Sequence, residues 1–214
     1  MNKNLTRLSW VIMAFLAIGV SGYASLYLNL NPEFGFLAQK EEQIISRLLY
    51  RGPFWIHVLG GIIALAIGPF QFLASLRKKR MKLHRTFGKI YVGAILLAGL
   101  SGIPVSLMAE GGWIARIGFL LLALTWLYTT AQAYIQIRQG NLLAHKRWMV
   151  LSYATTFAAV TLRIWLGILM GVLGWEFLTA YATVAWISWV PNLIVVELVM
   201  RHQSTRVQGE WMHT

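Results

Sequence analysis

Three histidines and one arginine are the residues whose types and positions in this sequence best suit chemistry. His57 and Arg163 lie within long apolar stretches, and His84 and His145 each lie just before one, in similar basic surroundings. Neutral imidazole ligates haem iron and divalent metals, and a guanidinium pairs with carboxylates such as haem propionates. Ionisable side chains inside apolar spans are costly and are functional candidates for that reason. We therefore take these four residues as candidate cofactor ligands.

The last apolar stretch holds Pro191, Asn192 and Glu197. Pro191 predicts a kink that frees a carbonyl about one turn earlier, and the Asn192 side chain is placed to satisfy such a group. Glu197 either reaches water, pairs with Arg201 at i+4, or joins His84 and His145 as a metal ligand. The polar residues expected at a similar depth, lining a pocket with these groups, are Gln71, Tyr128 and Gln132.

Each candidate also has a structural alternative. Arg163 either bonds to carbonyls or a tyrosine, pairs with a ligand anion, or extends toward the membrane surface. His57 either packs through a hydrogen bond or binds a ligand. His84 and His145 are either anchors among lipid headgroups or ligands of one shared group. Basic neighbours of these two histidines would repel a bare cation and suit haem propionates, which favours haem over zinc.

Composition excludes several classes of protein. The chain has 214 residues, of which 57% are hydrophobic and 12% charged. Soluble domains carry about 25% charged residues, so an ordinary soluble enzyme is excluded. This composition also excludes disorder. The net charge is +12, and there is no cysteine, so thiolate chemistry and disulfides are excluded. No nucleotide-binding, zinc-protease or nucleophile-elbow motif is present.

Six apolar stretches are each long enough to cross a hydrocarbon core of about 30 Å as a helix. They are Leu8–Leu30, Phe54–Leu76, Phe87–Met108, Trp113–Ile137, Trp148–Leu173 and Phe177–Met200. With the N-terminus inside, fourteen Lys and Arg residues lie on the inner side and four on the outer side. This bias predicts cytoplasmic termini and accounts for the basic charge without nucleic acid. The sequence thus predicts an all-α polytopic bundle in a single domain, residues 1–214.

The connection between the first two spans is the longest. Four apolar residues in it share one helical face, which predicts a short helix over about residues 38–50 on the outer interface. Pro53 would then occupy the first turn of the second span.

A set of short motifs carries a resemblance to a known family. The motifs are Gly68-Pro69-Phe70-Gln71-Phe72, His84-Arg85, Gly88-Lys89-Ile90-Tyr91, His145-Lys146-Arg147-Trp148-Met149, Thr161-Leu162-Arg163 and Trp189-Val190-Pro191-Asn192-Leu193 with Glu197. Their order and spacing, from about Phe54 to Met200, resemble the bacterial membrane proteins of the domain-of-unknown-function 2306 family. The resemblance implies a multi-pass protein of the bacterial cytoplasmic membrane, and it supplies no reaction.

A looser similarity is to b561-type cytochromes, which hold haem between helices. That arrangement would use two histidine pairs, whereas the outer half of this chain offers only His57, with Met108 or Met170 as alternatives.

Three hypotheses follow. The first is a redox protein with haem b or a metal at an inner-leaflet site formed by His84 and His145. The second is a transporter of a small solute or ion, and the third is a membrane scaffold without chemistry. Expected partners are the bilayer and a small-molecule ligand or redox partner.

Overall fold

The computed structural model describes residues 3–31, 38 and 48–211, with side chains for residues 7–31, 38 and 48–202. Its helices are α1 (Lys3–Ser25) with a 3-10 turn (Leu26–Asn29), α2 (Leu48–Gln71), α3 (Ala74–Lys79), α4 (Met81–Leu107), α5 (Gly112–Arg138), α6 (Leu142–Thr156), α7 (Ala158–Gly167) with a π-helical end (Ile168–Val172), α8 (Phe177–Ile187) and α9 (Val190–Trp211). Within these ranges the chain forms no strand.

The predicted all-α membrane architecture is confirmed. Over the described ranges, six helical runs are long and apolar enough to span a membrane: Arg7–Asn29, Leu48–Gln71, Met81–Leu107, Gly112–Arg138, Leu142–Val172 and Phe177–His202. The outer surface of the bundle is apolar, with Phe15 74% and Leu143 78% exposed. Such a surface is stable only against hydrocarbon, so these helices contact the lipid bilayer.

Several helix boundaries differ from those predicted. The second span ends at Gln71 rather than Leu76, because Phe72 and Leu73 form a turn through hydrogen bonds to the carbonyls of Pro69 and Phe70. Each of the six helical runs also extends beyond its apolar stretch at one end or both, for example from Met81 rather than Phe87 in the third span.

The prediction for Pro53 was wrong. Helix α2 already includes Leu48, so Pro53 lies inside the helix, beyond its first turn. The interfacial helix predicted over residues 38–50 lies largely outside the described residues, and its last three residues belong to α2.

Two ends of the bundle can be distinguished by charge. We call the end with the first residues of α4 and α6 the basic face, because Arg77, Arg85, Arg138 and Lys146 lie there. The other end, with Leu30, Ala109 and Phe177, is called the opposite face.

Small residues allow close helix packing between the two faces. A Cβ added at Gly60 of α2 would lie 2.6 Å from the Ala94 carbonyl oxygen of α4.

The fifth and sixth spans each have a short break in regular α-helical geometry in the middle of the bundle, while Phe157 and Ser188 keep right-handed helical backbone angles. The fifth breaks at Phe157, between α6 and α7, and the sixth breaks at Ser188 and Trp189, before Pro191. The second break lies within one turn before Pro191, where the sequence predicts a kink. The Asn192 amide donates to the Ser188 carbonyl at 2.9 Å, to the Ala154 carbonyl at 3.2 Å and to the Thr161 hydroxyl at 3.1 Å. Asn192 therefore links the two interruptions.

A buried network of hydroxyl groups joins α4, α5 and α6. The Tyr91 hydroxyl lies 3.0 Å from the Ser152 hydroxyl and 2.9 Å from the Thr156 hydroxyl. The Trp126 indole N–H donates to Thr156 at 2.8 Å, and the Thr130 hydroxyl lies 2.7 Å from Ser152. These contacts place spans three and five next to each other, as a site shared by His84 and His145 requires.

Candidate functional site

A cavity of about 510 Å³ opens in the half of the bundle nearer the opposite face. Its wall is mostly apolar. All six spans contribute residues to it, the sixth only through α8. The polar residues on the wall are Ser21, Tyr23, Tyr27, Tyr50, His57, Ser106, Trp126, Thr155, Thr156, Arg163 and Tyr181. A large apolar cavity with a few convergent polar groups is the usual form of a small-molecule site.

Arg163 supplies the positive charge of this cavity. It lies on α7, about 13 Å along the helical run from Val172 at the opposite face. Its Nη1 donates to the Ala159 carbonyl at 2.7 Å, and the guanidinium lies 5.3 Å from the centre of the Tyr23 ring. Within the described part of the chain, its buried Nε has no hydrogen-bond partner and no carboxylate forms an ion pair with it. The charge is thus only partly compensated by the described residues.

His57 lies on α2 and borders the same cavity. Its Nδ1 lies 2.8 Å from the Ala98 carbonyl oxygen, so Nδ1 carries a proton and donates it. The ring meets the Trp126 ring edge to face, with 6.3 Å between the centroids. Because a Cβ at Gly102 would approach Nδ1 to 2.9 Å, only glycine leaves room for this imidazole. The structure therefore brings together His57 and Arg163, which sequence spacing alone had not paired.

Four tyrosines on the cavity wall were missed by sequence analysis. Tyr23 and Tyr27 come from the first span, with hydroxyl groups 3.1 Å apart, while Tyr50 stacks on Phe54 and Tyr181 stacks on Phe177. Tyrosine near a span end is typical of an aromatic belt at the membrane surface. The only signal in the sequence was the number of tyrosines near span ends. The first, second and sixth spans must pack together before these four side chains line one cavity.

His84 and His145 lie together on the basic face, away from the cavity. They occupy the first turns of α4 and α6, two helices that the Tyr91–Ser152 contact joins. The Nδ1 of His145 lies 2.8 Å from the Ala133 carbonyl oxygen and donates to it, which orients the ring. The Nδ1 of His84 is buried and has no hydrogen-bond partner within the described ranges. Shared ligation by these two residues stays a prediction.

Glu197 has other partners. Its Oε1 accepts hydrogen bonds from Arg147 at 2.7 Å and from Arg201 at 2.9 Å. The i+4 pair with Arg201 is the structural alternative considered from sequence. In the part of the chain that is described, no group of three or more histidine and acidic side chains could hold a metal.

The other polar residues predicted at this depth are dispersed. Gln71 is buried, with 6% of its surface exposed, and its Nε2 has no partner among the described residues. Tyr128 is 56% exposed and packs edge to face on Trp148, so the structure does not bring it into a pocket with Gln71. Gln132 is half-buried on α5. Asn192 links the two interrupted spans, as described above.

Comparison with known proteins gives one match. The family profile described as "Predicted membrane protein (DUF2306)" matches residues 54–200, about two thirds of the chain. The chain belongs to this family. No curated protein and no solved structure matches it. Membership confirms a multi-pass membrane protein, and the DUF2306 description names no activity, ligand or cofactor.

The matched region of this DUF2306 member contains every candidate group on the basic face and both key polar groups of the cavity, His57 and Arg163. It leaves out the first span, which contributes Tyr23 and Tyr27 to the cavity wall. The functional argument therefore depends on the geometry of this chain.

Proposed function

We propose that this protein binds an amphiphilic small molecule with a carboxylate head in the cavity, and acts as a carrier for it. The observation that carries the proposal is Arg163, a guanidinium deep in an apolar cavity without a carboxylate partner among the described residues. A charge inside a bilayer costs several kcal/mol unless it is paired or solvated. A bound anion would supply the missing partner.

The shape and lining of the cavity support an amphiphile rather than a small hydrophilic ion. Most of the wall consists of aliphatic and aromatic side chains, including Leu65, Leu162 and Phe119. Burial of a hydrocarbon chain against this wall contributes about 25 cal/mol per Å² of apolar surface removed from water. The carboxylate would lie at Arg163 and the chain along the apolar wall.

The interrupted helices support a carrier rather than a static binding protein. Arg163 lies six residues after the break at Phe157, on the same span, and this break is linked through Asn192 to the break in the sixth span. Transporter sites typically lie where spanning helices depart from regular geometry beside a central polar group. Rearrangement at the two breaks would change access to the cavity from either side of the membrane.

The binding step can be tested with two probes of equal chain length, dodecanoate and dodecanol, added to the protein in nanodiscs. We expect the wild type to bind dodecanoate more tightly. Hydrogen bonds to charged groups contribute about 1.5–3 kcal/mol, which corresponds to roughly 10- to 100-fold in Kd. Arg163→Leu should remove this preference.

The matched control is Arg116→Leu. Arg116 lies near the opposite face, where it donates to the Ala109 carbonyl at 3.2 Å and stacks over Trp113, but it does not line the cavity. This variant should keep the preference for dodecanoate. Equal binding of both probes by the wild type, or equal losses in the two variants, would contradict the proposal. Uptake of dodecanoate into proteoliposomes then tests the carrier step.

A cofactor held by His84 and His145 is a second candidate function, since both lie in the first turns of neighbouring helices on the basic face and the His145 ring is oriented by Ala133. The chemistry would be electron transfer through haem b or a related group. An absorption spectrum of the purified protein tests it. A Soret band lost in His84→Ala and His145→Ala and kept in Arg116→Leu would support it, and a spectrum without this band would exclude haem. A protein that binds neither probe nor haem would fit the scaffold hypothesis.

A further inference from the structure

His57 presents a hydrogen-bond acceptor to the ligand cavity. In a neutral imidazole one nitrogen donates and the other accepts. Because Nδ1 donates to the Ala98 carbonyl, Nε2 holds the free lone pair. Nε2 forms no hydrogen bond with the described residues and is not fully buried, and His57 lines the cavity.

The orientation of this acceptor is fixed on three sides. The Ala98 carbonyl holds Nδ1, the Trp126 ring meets the imidazole edge to face, and Gly102 lies against Nδ1 where any side chain would collide. A ring flip would place a carbon atom against the Ala98 carbonyl and lose the 2.8 Å hydrogen bond. Nε2 is therefore a preorganised acceptor, and it favours a ligand group that donates.

We infer that the ligand carries a hydroxyl group in addition to its carboxylate, and that the hydroxyl donates to His57 Nε2 while the carboxylate binds Arg163. The inference rests on the function proposed above and narrows its substrate class to hydroxylated amphiphilic acids. Discrimination arises because a site built to hydrogen-bond a hydroxyl leaves a polar group unpaired when the hydroxyl is missing. Carboxylates without a hydroxyl would still bind through Arg163 and the apolar wall.

The test compares dodecanoate with 2-hydroxydodecanoate and 3-hydroxydodecanoate in nanodiscs. We expect at least one hydroxy acid to bind the wild type roughly three- to tenfold more tightly than dodecanoate, as for one added neutral hydrogen bond. His57→Phe keeps an aromatic ring but has no acceptor, and should bring the ratio of the affinities close to one.

Gly102→Ala provides a second, indirect variant. Its Cβ would displace the His57 ring without contributing any polar group, so it should also lower the ratio of affinities. Gly93→Ala on the same helix is the matched control, because a Cβ there meets nothing within 4 Å, and the wild-type ratio should be retained.

The outcomes separate this inference from the proposal on which it rests. Dodecanoate binding that depends on Arg163, without any gain from a hydroxyl group, would overturn the inference and leave the proposed function standing. No binding of any of the three acids would overturn both. A haem absorption band lost in His57→Phe would make Nε2 an iron ligand and would also overturn the inference.

Discussion

Replacement of Gly68 by alanine should destabilise the bundle, although alanine is the better helix former. Gly68 lies on α2 where the Tyr153 ring of α6 covers the backbone, and an added Cβ would lie 1.9 Å from Cε2 and 2.3 Å from Cδ2 of that ring. Real Cβ contacts do not reach such distances, so the ring must move. The ring also contacts Phe72, with 5.4 Å between centroids, and its hydroxyl donates to the Leu65 carbonyl at 3.3 Å.

The expected change in the free energy of unfolding combines two losses and one gain. Overpacking of a well-packed core costs typically about 1–3 kcal/mol, and loss of the Tyr153 hydrogen bond adds roughly 0.6 kcal/mol, the average for interhelical pairs in membranes. The intrinsic gain from glycine to alanine in a helix is only about 0.5–1 kcal/mol. We therefore expect a net loss of about 1–3 kcal/mol in the free energy of unfolding for Gly68→Ala.

The assay is unfolding by a denaturing detergent, followed by circular dichroism, with Gly93→Ala as the control. A Cβ at Gly93 meets nothing within 4 Å, so this variant should show the helix-propensity gain alone and be slightly more stable than the wild type. If Gly68→Ala proved as stable as Gly93→Ala, the close packing of α2 on α6 would be refuted.

Three further predictions concern the network, the interrupted spans and the topology. Tyr91→Phe should lower the free energy of unfolding by about 0.6–1.7 kcal/mol, because its hydroxyl bonds to Ser152 and Thr156; an unchanged detergent midpoint would contradict the network. Asn192→Leu should cost more than Tyr91→Phe in the same assay, because it removes the hydrogen bonds to the carbonyls of Ala154 and Ser188 and to the Thr161 hydroxyl, and only the Ser188 carbonyl keeps another side-chain donor, Thr161. Reporter fusions after Met200 and within residues 31–53 should report the cytoplasm and the outside respectively, and the reverse pattern would contradict the charge argument.

Hydropathy predicted the number and order of the spans because insertion into a bilayer depends on apolar length, which is a property of each segment alone. The break in the sixth span was also predictable, since Pro191 lacks the N–H that a continuous helix needs. The break at Phe157 had no such signal in proline or glycine. The hydroxyls of Thr155 and Thr156, just before it, donate to backbone carbonyls one turn earlier, at 3.0 and 2.9 Å. Such hydrogen bonds bend helices only in some contexts, so they do not predict a break.

The candidate site was only partly predictable. His57 and Arg163 could be selected individually because ionisable groups are rare in spans. Their common cavity could not be predicted, because it depends on how α1, α2 and α7 pack, and no local pattern encodes that arrangement. Tyr181 could not be predicted for the same reason. A tyrosine in a span has no large free-energy cost of burial that would single it out in the sequence.

The central claim, a carboxylate amphiphile held by Arg163, is tested most directly by identifying what the protein retains when it is purified. Native mass spectrometry of the wild type, Arg163→Leu and Arg116→Leu, followed by extraction and fragmentation of the released molecule, gives this result. We predict an amphiphilic acid bound to the wild type and to Arg116→Leu, and absent from Arg163→Leu. A bound molecule without an acidic group, or equal retention by all three proteins, would contradict the account.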